Sequence, residues 1–212
     1  MDLAKPAHAY SSAQHHRRRL LDGLAVSVAR RGYSDTTISD IAAAARVSKR
    51  TFYEHFSSKQ QCMIALYESA SELSRRQMEV AIDESLGWPE QVEAAVRRYF
   101  NHLSMHPVLM RALFMEILSL GPDGLKARRD NLNALAGTIA RSAGTQGVTL
   151  SLPQAASLAG MLSEWVLLAI EEDRVAALPD DAPVVAAMLR AAIVGHKLIE
   201  PQPTQPPQSA TA

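Results

Sequence analysis

Apolar residues recur at three- and four-residue spacing along most of the chain, and no stretch alternates at the two-residue period of a strand. The pattern predicts helices only. Leu20, Leu21, Leu24 and Val28 share one face of a first helix over about 12–31, which Gly32 stops. Thr36 or Thr37 caps a short second helix over 38–45, and Ser48 caps a third over 49–56. Ser57 or Ser58 opens a long fourth helix towards Asp83, with Met63, Ile64, Leu66, Tyr67, Ala70 and Leu73 on its apolar side. "GWPE" breaks the pattern, and Pro89 suits the first turn of a helix over 89–105. Pro107 starts another, to 120; "GPDG" reads as a loop, and a helix follows over about 124–143. Two strongly apolar helices, 153–172 and 182–198, close an all-α fold of about nine helices. The first 11 residues carry no periodic pattern, and the tail "EPQPTQPPQSATA" from Glu200 is blocked from helix by its prolines; both are expected to be disordered. The predicted organisation is therefore 12–60 as one unit and 61–199 as a second, larger one.

Composition sharpens this picture only when it is divided. The formal net charge is zero. Residues 1–60, however, hold ten Lys and Arg against five Asp and Glu, and the acidic excess lies in the remainder. A basic first third points to a polyanionic partner at one end. The single cysteine, Cys62, excludes an internal disulfide and a Cys-based zinc cluster, and is expected to be a small buried residue. No apolar run reaches transmembrane length and no signal-peptide pattern opens the chain, so a cytoplasmic location with no membrane partner is expected.

The segment "TTISDIAAAARVSKRTFYEHFSSKQQ", residues 36–61, carries the sharpest signal. Two short helices separated by Arg46, Val47 and Ser48 form a helix-turn-helix pattern. Ile38, Ile41, Ala42 and Ala45 give the first an inward face, and Phe52 with Phe56 do so for the second. That arrangement sends Lys49, Arg50, Thr51, Tyr53 and His55 outward. A helix fits the major groove of DNA, where Lys and Arg reach guanine edges or phosphates. Thr and Tyr hydroxyls donate to phosphate oxygens, and the amides at the helix starts near Thr37, Ser48 and Lys59 favour anions. A solvated basic helix over two core phenylalanines is the plainer alternative.

The same segment, preceded by an amphipathic helix ending "ARRGYSD", resembles the DNA-binding domain of the TetR (tetracycline repressor) family over residues 15–67. The resemblance implies an all-helical protein with a three-helix DNA-binding head and a C-terminal body that dimerises and binds a small molecule. It implies that Thr37 and Lys59 hold backbone phosphates, that Lys49, Arg50 and Thr51 approach base edges, and that Tyr53 and His55 touch phosphate. Arg46 stands where the family usually has glycine, at the close of the second helix. If the left-handed backbone is kept there, a non-glycine residue costs about 1–2 kcal/mol; a phosphate contact from Arg46 would offset it.

Two heads on a symmetric dimer would read half-sites about 34–36 Å apart. The last two helices are apolar nearly all round and carry Ala156, Ala159, Gly160, Ala187, Ala191 and Gly195, which permit close approach; they are the expected homodimer interface, with deep monomer core as the alternative. For a small-molecule effector, Met105, Met110, Phe114, Met115, Met161 and Trp165 are large and adaptable, although such a set is more often plain core. Glu164 would orient a polar or cationic ligand, or sit in water at the rim. His102 and His106 have metal-compatible spacing, yet Leu103 follows the first, the metalloprotease glutamate is absent and no third ligand can be named, so neither metal nor cofactor is expected. The sequence thus reads as a ligand-responsive DNA-binding repressor and not an enzyme. A metal-dependent helical-bundle enzyme and a protein-only adaptor are the rival classes, and no Glu-x-x-His pair, serine nucleophile motif or phosphate-cradling loop supports the former.

Overall fold

The structure is a computed structural model describing residues 7–83 and 85–196. Among the described residues every regular element is helical: α1 (Ala7–Asp35), α2 (Ile38–Ala44), α3 (Lys49–His55), α4 (Lys59–Val80), α5 (Trp88–Ser104), α6 (Pro107–Ser119), α7 (Gly121–Gly144), α8 (Leu152–Glu171) and α9 (Ala182–His196), with a 3-10 helix at Val175–Asp181 before α9. The expectations for residues 1–6 and for the tail from Glu200 lie outside the described residues.

Three departures from the sequence pattern have local causes. The first helix begins at Ala7, because "AHAYSSAQ" contains good helix formers and no breaker, so residues 7–11 are helical and not irregular. Its backbone leaves the helical region at Gly32 (φ 80°, ψ 167°), the break the sequence predicts. "GPDG" is no loop: it forms the first turn of α7, with Pro122 needing no amide partner there and Asp123 favourably placed at the positive end of the helix. Val175–Asp181, a short segment with Pro179 inside it, was not legible as an element.

The head packs α1 across α2 and α3. Leu20, Leu24, Ile41 and Phe52 are fully buried there, with Phe56, Ala42 and Ala45 closing the cluster. Gly23 makes the α1–α2 crossing possible: a β-carbon at that position would come within 2.7 Å of the Ile41 carbonyl oxygen and 2.9 Å of the Ala45 amide. The α4 helix begins under the head and runs into the body, where it lies against α5 and α7. The α5 helix in turn packs on α9 and the 3-10 helix, and α7 on α8.

A candidate nucleic-acid interface and a separate cavity

The turn between α2 and α3 is a fully bonded left-handed cap. The Val47 amide donates to the Ala42 carbonyl at 2.9 Å and the Arg46 amide to Ala43 at 3.0 Å, the paired pattern of a Schellman motif. Arg46 occupies its left-handed position with φ 52°. The residue therefore carries the strain that glycine would avoid. A guanidinium N–H of Arg19 (Nη2) braces the turn by donating to the Arg46 carbonyl at 3.0 Å. The Arg46 side chain is left exposed beside α3.

The short α3 and the long α4 are each started by a serine hydroxyl. Ser48 Oγ accepts the Thr51 amide at 3.0 Å, and Ser58 Oγ the Gln61 amide at 3.1 Å. Phe52 and Phe56 hold α3 against the core, 5.8 Å apart between ring centroids. The opposite face carries Lys49, exposed; Arg50, 90% exposed and in a loose ion pair with Glu54; and Tyr53, 58% exposed and edge-on to Phe52. Thr51 is half-buried, its hydroxyl 3.0 Å from that of Ser48. Arg46, Ser48, Lys49, Arg50, Thr51 and Tyr53 thus lie along one short stretch of surface.

Three of the sequence-predicted residues are placed differently. Thr37 caps α2, but both its amide and its hydroxyl bond the Asp40 carboxylate, at 2.9 and 2.6 Å. Those two hydrogen bonds hold the Asp40 pKa below the ordinary carboxylate range, and the nearby Arg31 acts in the same direction. The start of α2 is thus already supplied with an anion, which disfavours a phosphate there. Lys59 turns inward: its ammonium donates to the carbonyls of Tyr33, Ser34 and Thr36 at 2.8, 3.2 and 2.8 Å, over the Tyr33 ring at 4.3 Å. These contacts fasten the α1–α2 connection to the start of α4. His55 faces α1, with its ring 6.4 Å from that of His16. Burial chiefly lowers the pKa of His55, His16 and Arg17 lower it further, and Glu54 opposes them.

The sequence reading also passed over the α1 run His15, His16, Arg17, Arg18 and Arg19, visible only as a block of basic residues. Arg17 stacks over Phe56 at 5.4 Å and Arg18 is exposed. Arg17, over Phe56, and His16, against His55, stand beside α3.

The body's cavity lies elsewhere than expected. A space of about 260 Å³ opens between α4, α5, α7 and α9. Its floor is made of buried Met78, Val92, Val96, Ile139, Leu189 and Ile193, and its rim carries Glu79, Gln91, Arg141, Ser142 and Thr145. None of the seven sequence-predicted ligand residues lines it. Met105 and Met115 are exposed, as is Glu164. Met110 and Phe114 border a separate crevice of only about 20 Å³. Met161 and Trp165 are half-buried on α8, where the Trp165 indole donates to Asp181 at 2.7 Å. Helical spacing identified large side chains, but not which helices leave a gap between them.

Cys62 is buried, and burial pushes its thiol pKa up to about 12, so it is an inert core residue. Among the described residues no group of three His, Cys, Asp or Glu could hold a metal ion, and no helix is long and apolar enough to cross a membrane.

A three-helix head with a capped turn, set on a helical body through α4, defines a helix-turn-helix protein of two parts. Residues 20–66 match the family model of bacterial regulatory proteins, tetR family, so the head is similar to the DNA-binding domain of that family. Among curated proteins it is similar to the HTH-type transcriptional repressor SCO4008 of Streptomyces coelicolor, 28% identical over 103 residues, 49% of this chain. That match spans about half the length of the relative. Among solved structures it shares its fold with the fatty acid degradation regulator FadR from Bacillus halodurans (TM-score 0.67, 20% identity, 82% of this chain and 93% of that one). The transcriptional regulator FadR from Bacillus subtilis in complex with stearoyl-CoA is similar in fold too (TM-score 0.66, 21% identity, 82% and 98%).

Proposed function

We propose that this chain is a ligand-responsive transcription regulator, a repressor that leaves its operator DNA when a small molecule enters the body. The observation that carries the reading is the exposed row Arg46, Lys49, Arg50 and Tyr53, held outward by buried Phe52 and Phe56. A helix so presented suits the major groove, with Lys49 and Arg50 reaching base edges, and Arg46 and Tyr53 reaching phosphate. Thr51 and Ser48 stand close enough to the same face to assist. The match of the head to the tetR family model supports this, as does the likeness to a repressor.

A homodimer through α8 and α9 completes the reading. Val184, Met188 and Val194 on α9 and Leu168 on α8 are all exposed, an apolar face that a second copy would cover. The cavity sits on the inner side of α9 and against the far end of α4, about 30 Å from Lys59 at 1.5 Å per residue. Occupying it would shift α4, and through the Lys59 contacts the α1–α2 connection of the head. A dimer with one head-to-head spacing that matches successive major grooves and another that does not would answer to the effector only through its different affinity for the two. One neighbour in fold binds stearoyl-CoA, so a site for a small molecule in such a body has precedent.

Selection of genomic fragments by the purified protein tests the reading. Bound fragments should share a two-fold symmetric site. With about 6–10 phosphate contacts, affinity should fall roughly 10³–10⁵-fold between 50 and 200 mM salt. Lys49→Ala should relax preference at one position of each half-site, by about 1–3 kcal/mol. No enrichment over random fragments would refute the proposal.

A further inference from the structure

The rim of the cavity holds one carboxylate, Glu79, and one guanidinium, Arg141, and the two are unequally engaged. On α4, Glu79 Oε1 accepts from Arg75 at 2.5 Å, from Arg141 at 2.7 Å and from the Thr138 hydroxyl at 3.4 Å. A single acceptor oxygen is thus surrounded by three donors, two of them guanidinium groups. Arg141 is in the opposite condition. Only its Nη2 is engaged, by Glu79 and by Thr138 Oγ1 at 3.0 Å. A guanidinium has five N–H groups in a planar fork, so most of those of Arg141 reach no protein acceptor among the described residues. Its side chain is 65% exposed at the mouth, whereas the floor beneath is buried and apolar. The mouth is firmly built: the Trp88 indole donates to Ser142 at 3.0 Å next to it.

We infer that the cavity takes an organic acid with an apolar tail, its carboxylate on the free N–H groups of Arg141 and its tail between α4, α5, α7 and α9. The inference rests on the ligand-responsive reading of the body given above and names the chemistry of that ligand. A cation would meet the Arg141 guanidinium, and Glu79, the one carboxylate lining the cavity, is already shared by Arg75 and Arg141 through Oε1. A neutral alcohol would fill the floor and leave Arg141 unused. A carboxylate matches the open part of the Arg141 guanidinium fork and keeps its tail out of water. At about 260 Å³ the space lies just below the ~300–1,000 Å³ usual for small-molecule sites, which favours a tail of medium length.

Calorimetric titration of the DNA-free, full-length protein with decanoate, decan-1-ol and decylamine tests this. Decanoate should bind at least tenfold more tightly than decan-1-ol, with decylamine weakest. Arg141→Gln should remove the advantage of the acid and leave decan-1-ol binding unchanged. Glu79→Gln should act in the other direction and tighten decanoate several-fold, because it releases Arg141. Equal affinities for acid and alcohol would overturn the inference. So would preference for the amine, or an equal loss of both ligands in a folded Arg141→Gln protein. DNA affinity measured with and without decanoate is a separate arm: decanoate that binds as stated yet leaves DNA affinity unaltered counts against the regulator reading while the carboxylate site stands.

Discussion

The head turns its apolar residues inward from three short helices and leaves hydroxyl, aromatic and cationic groups outside, whereas α9 in the body is apolar on both sides. Leu189 and Ile193 of α9 face the cavity, and Val184, Met188 and Val194 face away from the chain. The one-sided arrangement of the head suits a partner that is charged and wet. The two-sided arrangement of α9 suits two apolar partners, a ligand within and a second copy without. The α4 helix belongs to both regions, with Lys59 fastened to the head at one end and Glu79 at the cavity rim at the other. A change at the cavity therefore has a rigid route to the surface that would meet DNA.

If the two regions are as separate as this implies, a large injury to one core should spare the other. Phe52 is fully buried and α3 has few other anchors. Phe52→Ala should cost about 3–5 kcal/mol and abolish DNA binding, while leaving the body folded. Thermal unfolding followed by circular dichroism should then show an early, partial loss of helix, with decanoate still stabilising the later transition. A single transition shifted as a whole would mean that head and body form one cooperative unit.

Met188 probes the outer side of α9. Met188→Glu would set a carboxylate near its own symmetry mate in a dimer through α8 and α9. The dimer dissociation constant should rise at least tenfold, about 1.4 kcal/mol, as measured by sedimentation. Ligand binding on the inner side should persist. An unchanged dimer would place the interface elsewhere.

These two regions were not equally legible in the sequence. The head is governed by relations within some twenty residues: Ser48 caps Thr51, Phe52 and Phe56 share a face, and Val47 closes the turn back to Ala42. Such spacing can be read directly. The inward turn of Lys59 was hidden, because its acceptors, from Tyr33 to Thr36, are exposed by a helix end more than twenty residues away. The cavity was hidden for the same reason on a larger scale. Met78 and Ile193 line one cavity only because α4 and α9 both pack on α5, and periodicity cannot say where packing leaves a space. The Met and aromatic set chosen by size accordingly scattered to the surface, to a narrow crevice and to α8. The basic run on α1 was present as a charge block, but its position beside α3 follows from the crossing at Gly23.

Arg46 offers a finer test of the head. Its left-handed backbone costs about 1–2 kcal/mol relative to glycine, partly offset by the greater freedom glycine has in the unfolded chain. Arg46→Gly should therefore stabilise the protein, by up to about 1 kcal/mol. The Arg19 bond survives the change because it is made to the backbone carbonyl. If the Arg46 side chain meets phosphate, the same substitution should weaken binding to all DNA sequences alike and reduce the salt slope by about one. Greater stability with weaker, equally selective binding would show that the strained residue is kept for its charge. Greater stability with unchanged binding would show that the charge has no role.

The smallest effect concerns protons, and it again separates the two regions. His55 in the head and His102 in the body both have pKa values lowered chiefly by burial; His16 and Arg17 add to the effect at the first, His106 and Arg98 at the second. Below the ordinary histidine value of about 6.5 the unfolded chain takes up these protons before the folded chain does. Both residues therefore favour the folded state above that pH, and their contribution is lost as pH falls towards the folded-state values. His102→Gln should flatten this acid-side loss for the body only. His55→Gln should flatten it for the head, and it should also act on DNA binding with the opposite sign. A phosphate near His55 stabilises its protonated form, so DNA affinity of the unsubstituted protein should strengthen as pH falls from 7.5 towards 6 while the stability of the free protein declines. His55→Gln should remove part of that strengthening, read as a shallower slope of DNA affinity against pH, and His102→Gln should leave it intact. Equal slopes in all three proteins would mean that His55, turned towards His16 as it is, never comes near the phosphate backbone.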